Sequence, residues 1–487
     1  MKTKLIISLS IVIIMIIVGT VLISCNELDK TIKAAVADGK ITKSEARIID
    51  KVFDEEGISS FDDKVDYVYS LAPDLDKDYI EKVWMSIVDS PEKASKAVFV
   101  YLDNTESMRG YMNATDASKF ANVLTAINDY YSKDNISPQA FYTEAITQDG
   151  KKVTNVVSVD FAQLRSDLTA HKMNKYTDSY QLNDFFCEVT KRLHNDPKQT
   201  SICFFVTDGI PSGTNEEISN SPQRKFSISQ KEELQSRIAG ALRPLGAKGG
   251  FGAAIFQFFA PFKGQYWKYN NDNRTILNDH ERPFYVFAVG QKDMLEDFIE
   301  QVEDGLRLFE PKNTVVFMEG DEQFIPRNPE YLEKKDNKKN EFFFDAEEVN
   351  EDEEKDDAMA TLYFKFDGLP YYLRDISMLK QKVSIEVENE NVPTDVKIDR
   401  INFKVKAREQ ATQKVRVVVE DFLPLWVSTS SSPDDSSLSP DTIVELNKTF
   451  NLDIVVRGIE QGIFNKGGER YAIDELFILN SNKNDGD

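Results

Sequence analysis

Three small oxygen-bearing side chains, Asp103, Thr105 and Ser107, stand at two-residue steps in "YLDNTESMRGY". The stretch follows the apolar run Ala97–Val100, so the carboxylate sits where a buried strand should end. Asp208, in "SICFFVTDGIPSG", holds the same position after Ile202–Val206. Thr177, in "NKYTDSYQLNDFF", lies in the loop ahead of a helical pattern that begins at Leu182. Loops of this kind meet beyond the carboxyl ends of the strands of an open parallel sheet. Two carboxylates and three hydroxyls then form a hard-oxygen donor set. Mg²⁺ suits such a set: it wants a near-octahedral array of oxygens, keeps some waters and usually takes few carboxylates. Neutral hydroxyls leave part of its charge uncancelled, so an open position attracts an anionic group from a partner. Alternate side chains of the turn can converge on one point while Asn104 and Glu106 point away.

Each residue also has a plainer role. The first turn can cap the following helix, Asp208 can be a turn residue before Gly209, and Thr177 shares with Asp178 and Ser179 the chance to cap the Leu182 helix. A cap explains one oxygen, not three carried together with Thr177 and Asp208, and the cation site is the preferred reading.

These residues resemble the von Willebrand factor A domains. Asp103-Asn104-Thr105-Glu106-Ser107 is similar to the family's DxSxS turn, with threonine in the middle slot. Thr177 resembles the second-loop threonine, and Thr207-Asp208-Gly209 the third loop with its aspartate. The resemblance implies a metal-ion-dependent adhesion site over about residues 94–320. That site binds a divalent cation, usually Mg²⁺ (or Mn²⁺), and captures a carboxylate from a protein ligand. Glu106 departs from the pattern, standing where glycine is usual, and Tyr176 does so before the threonine.

The elements that must position these groups follow from hydrophobic pattern. Strands are expected at Val98–Leu102, Ala140–Thr143, Val153–Val159, Ile202–Thr207, Ala253–Phe259, Tyr285–Val289 and Thr314–Met318. Helical periods fall between them at Ala117–Tyr131, Leu182–Leu193, Leu234–Leu242 and Leu295–Leu308, with Ser229 and Glu232 as a capping box ahead of the third. The alternation predicts an α/β fold, a doubly wound, mostly parallel sheet over residues 93–320. Residues 25–92 read as short helices. Residues 321–358 read as a charged linker, and "EKKDNKKNEFFFDAEEVNEDEEKDD" as a solvated loop. Beyond it strands alone are expected, including Val396–Lys406, Lys414–Glu420 and a broken strand over Thr442–Arg457. Residues 359–487 thus predict a β-sandwich-like domain of about 130 residues. The aromatic stretch "FQFFAPFKGQYWKYNN" after the fifth strand reads first as packing, with Tyr266, Trp267 and Tyr269 as an alternative recognition surface.

The chain begins Met1-Lys2-Thr3-Lys4, then runs without charge to Ile23 and reaches "LISC". A positive start and an apolar core make a secretory signal over residues 1–24. The last four residues resemble the bacterial lipobox, which implies a lipid-bearing Cys25 and a tethered protein in the bacterial cell envelope, outside the cytoplasm. An uncleaved membrane-spanning anchor is the other reading of so long an apolar stretch. "ADGKITKSEARIIDKVF" resembles half an EF-hand, but its first and third ligand positions would be Ala34 and Val36, so no metal is assigned there.

At 487 residues the chain suggests about three domains. Its net charge of -23 opposes binding to nucleic acid. Three cysteines, Cys25, Cys187 and Cys203, form no disulfide framework. Three isolated histidines provide nothing for a di-zinc site. A metal-dependent phosphohydrolase using Asp103 is the alternative function. Aspartyl-phosphate enzymes usually carry a second aspartate two residues on, where this chain has Thr105. The expectation is therefore a lipoprotein binding module and not an enzyme.

Overall fold

The structure, a computed structural model, describes residues 28–36, 40–58, 60–88, 95–105, 107–148, 151–169, 182–195, 199–210, 228–266, 275–320, 323–328, 330, 332–335, 338, 340–345, 359–406, 412–433, 446–465 and 471–481. The expected lipidation site Cys25 and the expected ligand Thr177 lie outside them, as do Glu106, Tyr176, Trp267 and Tyr269. Among the described residues no helix is long and apolar enough to cross a membrane.

The chain divides into two compact units, Met1–Ser95 with Glu296–Asp304, and Lys96–Leu295 with Gly305–Asp487. In the first, helices α1 (Lys43–Glu55), α2 (Phe61–Leu71) and α3 (Lys77–Val88) bury Ile49, Phe53, Val68, Ile80 and Trp84 together. Glu45, the last position of the half EF-hand pattern, instead closes a capping box. Its Oε2 accepts from the Thr42 N–H at 2.9 Å, and its own N–H donates to the Thr42 hydroxyl at 3.2 Å.

The second unit is mixed α/β, built on a seven-stranded sheet of order β3-β2-β1-β4-β6-β5-β7. Its strands are β1 (Ser95–Leu102), β2 (Gln139–Gln148), β3 (Lys151–Val159), β4 (Gln199–Thr207), β5 (Phe251–Tyr266), β6 (Thr275–Gln291) and β7 (Asn313–Phe317). Helices α4 (Arg109–Met112), α5 (Ser118–Ser132), α6 (Phe161–Thr169), α7 (Leu182–Asn195) and α8 (Ile228–Lys248) alternate with them, while α9 (Lys292–Glu303) belongs from Glu296 onward to the first unit. Phe99, Tyr101, Cys203, Phe205 and Phe287 share one core with Phe185 and Val189 of α7 and with Ile238 and Leu242 of α8. The other face meets α5, where Tyr131 contacts Phe204 and Phe120 contacts Phe284. Cover on both faces explains why β1 and β4 are nearly unbroken apolar runs.

The sheet is mixed, not mostly parallel. β1 and β2 pair in parallel, but β2–β3, β4–β6, β5–β6 and β5–β7 pair antiparallel. Only residues 267–274 separate β5 from β6. A parallel return needs a crossover of about a dozen residues or more, so a connection this short makes a hairpin.

Two further sheets follow, of orders β10-β14-β13 and β12-β11-β15-β18-β9-β8. They comprise β8 (Leu332–Lys334), β9 (Glu341–Phe344), β10 (Met359–Lys365), β11 (Val383–Val387), β12 (Glu390–Val392), β13 (Thr394–Val396), β14 (Arg400–Lys406), β15 (Thr412–Glu420) and β18 (Tyr471–Ser481). A short parallel pair, β16 (Ser431–Ser432) with β17 (Thr449–Phe450), completes the strands. Two expectations fail here. The charged tract is not wholly a solvated loop, because β9 runs parallel to β18 and buries Phe342 and Phe344. Residues 442–457 contain no long strand among those described: α10 (Ile376–Lys382) and α11 (Leu425–Thr429) are joined by a third late helix, α12 (Leu452–Ile463). Its buried residues Leu452, Val455, Val456, Ile459 and Ile463 recur at helical spacing, and packing overrides the β-branched run. α12 lies against α8 so closely that a Cβ on Gly246 would stand 2.3 Å from the Gly462 carbonyl oxygen.

Candidate functional site

β1 and β4 end side by side, since the Asp103 N–H donates to the Val206 carbonyl at 3.0 Å, one residue past the end of β1. The chain then leaves the sheet and Asp103 becomes the hub of the turn. Its Oδ1 accepts from the Thr105 N–H at 3.0 Å, and its Oδ2 accepts from the Thr207 hydroxyl at 2.8 Å. The intervening Asn104 faces away: its N–H donates to the Thr143 hydroxyl and its Nδ2 to the Thr143 carbonyl, both at 3.0 Å. Asn104 is fully buried, so this side chain fastens the turn to β2.

The hydroxyls of Thr105 and Ser107 lie 2.9 Å apart, and Ser107 is hydrogen-bonded to the Asp208 carboxylate. Asp208 Oδ1 also accepts from the Ile210 N–H at 3.0 Å. Gly209 is required next to it. Its φ is +71°, and a Cβ there would stand 2.7 Å from the Tyr285 ring. Asp103, Thr105, Ser107 and Asp208 are thus brought together at one sheet edge by a continuous set of hydrogen bonds.

Asp103, Thr105 and Asp208 are buried at 4%, 5% and 5% exposure, and Ser107 is half-buried. Burial, and then the charge of Asp208, push the Asp103 carboxyl up to about 7, although hydrogen bonds from Thr207 and Thr105 pull it down. Burial likewise raises Asp208, opposed first by the Ser107 hydrogen bond and more weakly by the charge of Arg282. Among the described residues neither carboxylate has an ion-paired lysine or arginine. Burial and mutual repulsion favour the protonated form of such a pair, and a bound cation would offset both. The donor chemistry, two carboxylates with two hydroxyls, therefore fits a hard divalent ion. Among the described residues no cluster of three His, Cys, Asp or Glu side chains offers a different metal site.

The structure adds residues that motif reading missed. Thr143 and Thr207 orient the turn, and Thr207 was visible only as the residue before Asp208. Tyr285 packs on Gly209 and exchanges a hydrogen bond of 2.9 Å with the Thr449 hydroxyl. β6 pairs with β4 only as far as Tyr285 opposite Thr207, so the outer halves of β5 and β6 run on beyond the site as a two-stranded arm. The arm accounts for the aromatic stretch as far as it is described. Phe256, Phe258, Phe262 and Tyr266 are all buried, which is packing. Nothing in spacing marks these partners, because they come from strands far away in the chain.

Comparison with family models, with curated proteins and with solved structures finds no match to this chain.

Proposed function

We propose that this chain is a lipid-anchored protein of the bacterial envelope whose α/β unit takes up Mg²⁺ (or Mn²⁺) and, through it, binds a carboxylate of a protein partner. The observation that carries the reading is the convergence of Asp103, Thr105, Ser107 and Asp208 at the joint end of β1 and β4, with negative charge that lacks an ion-paired partner among the described residues. Asp103 and Asp208 would hold the cation with the two hydroxyls, and Thr177 would complete the resemblance to an adhesion site. A bound Mg²⁺ supplies a Lewis-acidic position able to accept an anionic oxygen. Thr207 and Asn104 fix the turn so that the donors need little reordering when charge arrives. The anchor rests on the apolar N-terminal run and its lipobox-like end at Cys25, and the late β-rich sheets serve as a second interaction or spacer module.

Isothermal titration with Mg²⁺ tests the site. Wild-type protein should give saturable heat that Asp103→Ala with Asp208→Ala abolishes, and an unchanged signal in the double variant would refute the assignment. Pull-down from envelope extract should recover a partner only without EDTA. Turnover of a generic aryl phosphate that needs Asp103 would instead establish a phosphohydrolase.

A further inference from the structure

Away from the acidic turn, Tyr372, Asp421, Arg457 and Glu460 form a closed ring of polar side chains around one end of α12. The Tyr372 hydroxyl oxygen, on the short helical turn Tyr371–Leu373, lies 2.8 Å from Asp421 Oδ1 and 3.1 Å from Glu460 Oε1. Arg457 closes the ring, its Nη1 donating to Asp421 Oδ2 and to Glu460 Oε2. Arg457 and Glu460 stand one turn apart on α12, and Asp421 is the first residue after β15. Each carboxylate therefore spans the same phenol and the same guanidinium nitrogen.

The hydrogens of this ring do not suffice. Nη1 carries one for each carboxylate, but a phenol has a single hydrogen, and an ionised carboxylate only accepts. Burial and the two carboxylates raise the Tyr372 hydroxyl, so the phenol keeps its proton. With both acids ionised, one carboxylate oxygen would face the Tyr372 oxygen with no hydrogen between them. The charge is also unbalanced, two negatives against one positive, and an uncompensated buried charge is costly. Neighbouring elements contribute apolar groups or cations engaged elsewhere. Ile238 and Leu242 of α8, Ile255 of β5 and Phe317 of β7 share this core. Lys382 of α10 pairs with Glu420 at 2.9 Å, and Arg374 donates to the Leu369 carbonyl. The Glu460 side chain is 2% exposed against 13% for Asp421, so Glu460 has less access to water. Burial, and then the charge of Asp421, push its carboxyl up, with Arg457 opposing.

We propose that this ring is a proton-binding site: at neutral pH Glu460 carries the missing proton and donates it to the Tyr372 oxygen, while Tyr372 donates to Asp421, which locks α12 to the end of β15. When the proton leaves to solvent, an excess negative charge and an unbridged pair of oxygens remain, and the lock loosens. The folded value of Glu460 lies above its ordinary one, so its stabilisation is complete in acid and is lost as pH rises through the folded value. The device does not depend on the Mg²⁺ reading.

Infrared spectra of the full chain, labelled with carbon-13 in its glutamate carboxyls, read this proton directly. Only a protonated acid shows the C=O stretch of a carboxylic acid, and the label separates glutamate from Asp103 and Asp208. Wild type at neutral pH should show a glutamic-acid band that Glu460→Gln removes. Asp421→Asn should remove it too, because the new amide donates to the phenol oxygen and frees the phenol proton for Glu460. Hydrogen exchange of the α12 amides, corrected for intrinsic rates, reads the consequence. Above the folded value, protection in wild type should fall by about tenfold per pH unit relative to Glu460→Gln, which mimics the protonated acid. A wild type without the band, a band that survives in both variants, or equal loss of protection in wild type and Glu460→Gln overturns the inference. If neither variant folds, wild type decides: a band whose loss on titration tracks the loss of α12 protection upholds it, and a band that is absent or does not track overturns it.

Discussion

The hydroxyl of Thr207, the last residue of β4, donates to Oδ2 of Asp103, the first residue after β1, at 2.8 Å. The Thr207 hydroxyl oxygen in turn accepts from the Gly209 N–H at 3.2 Å. One side chain therefore joins two loops that are about a hundred residues apart in sequence, and orients one carboxylate while shaping the turn that carries the other.

Replacing Thr207 by valine keeps the volume and removes both bonds. Denaturant unfolding should show a loss of about 1–2 kcal/mol, since a buried carboxylate oxygen and an amide lose their partner. Mg²⁺ affinity should fall as well, because Asp103 loses the group that orients it.

The raised Asp103 carboxyl has a definite pH signature. Its folded value of about 7 lies above the roughly 3.9 of an unfolded aspartate. The folded state thus binds this proton more tightly. The resulting stabilisation is complete below about pH 4 and is lost as pH rises toward 7. Asp208 is shifted in the same direction. Urea unfolding in EDTA should show stability declining from pH 5 to pH 8, with Asp103→Asn flattening the decline. Saturating Mg²⁺ should restore stability at pH 8, because binding to the folded state alone is stabilising.

Gly110 is the second residue of α4 and lies under the ring of Phe262, where a Cβ would stand 2.1 Å from the ring. Phe262 is buried and also makes an edge contact of 5.0 Å with Tyr111, so it has little room to retreat. Gly110→Ala should cost about 1–3 kcal/mol and weaken Mg²⁺ binding through the displaced Ser107. Adding Phe262→Leu should recover part of the stability, which a double-mutant cycle measures.

Helix α12 is part of the same core as the site-bearing sheet. Val455 and Ile459 lie with Ile238 and Leu242 of α8, and Arg457 pairs with Asp421 and Glu460. Gly246→Ala should destabilise the protein by about 1–3 kcal/mol or more, since the clash is with backbone carbonyls that cannot rotate away. A chain truncated after residue 320 should be aggregated on size-exclusion chromatography, having bared the apolar face of α8.

The sequence by itself determined the elements whose signal is local. β1, β2, β3 and β4 lie where apolar runs put them, as do the cores of α5 and α7, and β15 covers Lys414–Glu420 as expected. Asp103, Thr105, Ser107 and Asp208 were legible because strand-end position and two-residue steps are properties of the chain alone. Tertiary structure decided the rest. β5 and β6 return as a hairpin because their connection is short, which turns the sheet mixed and raises an arm beside the site. The run Ile454-Val455-Val456 is helical because its apolar stripe finds Ile238 and Leu242 of α8, with Gly458 and Gly462 of α12 allowing the close approach, and contact energy exceeds a propensity difference of a few tenths of a kcal/mol per residue. Thr207 gains its meaning only when folding sets it beside Asp103: hydrogen bonds act through space, and space is what a linear pattern does not contain.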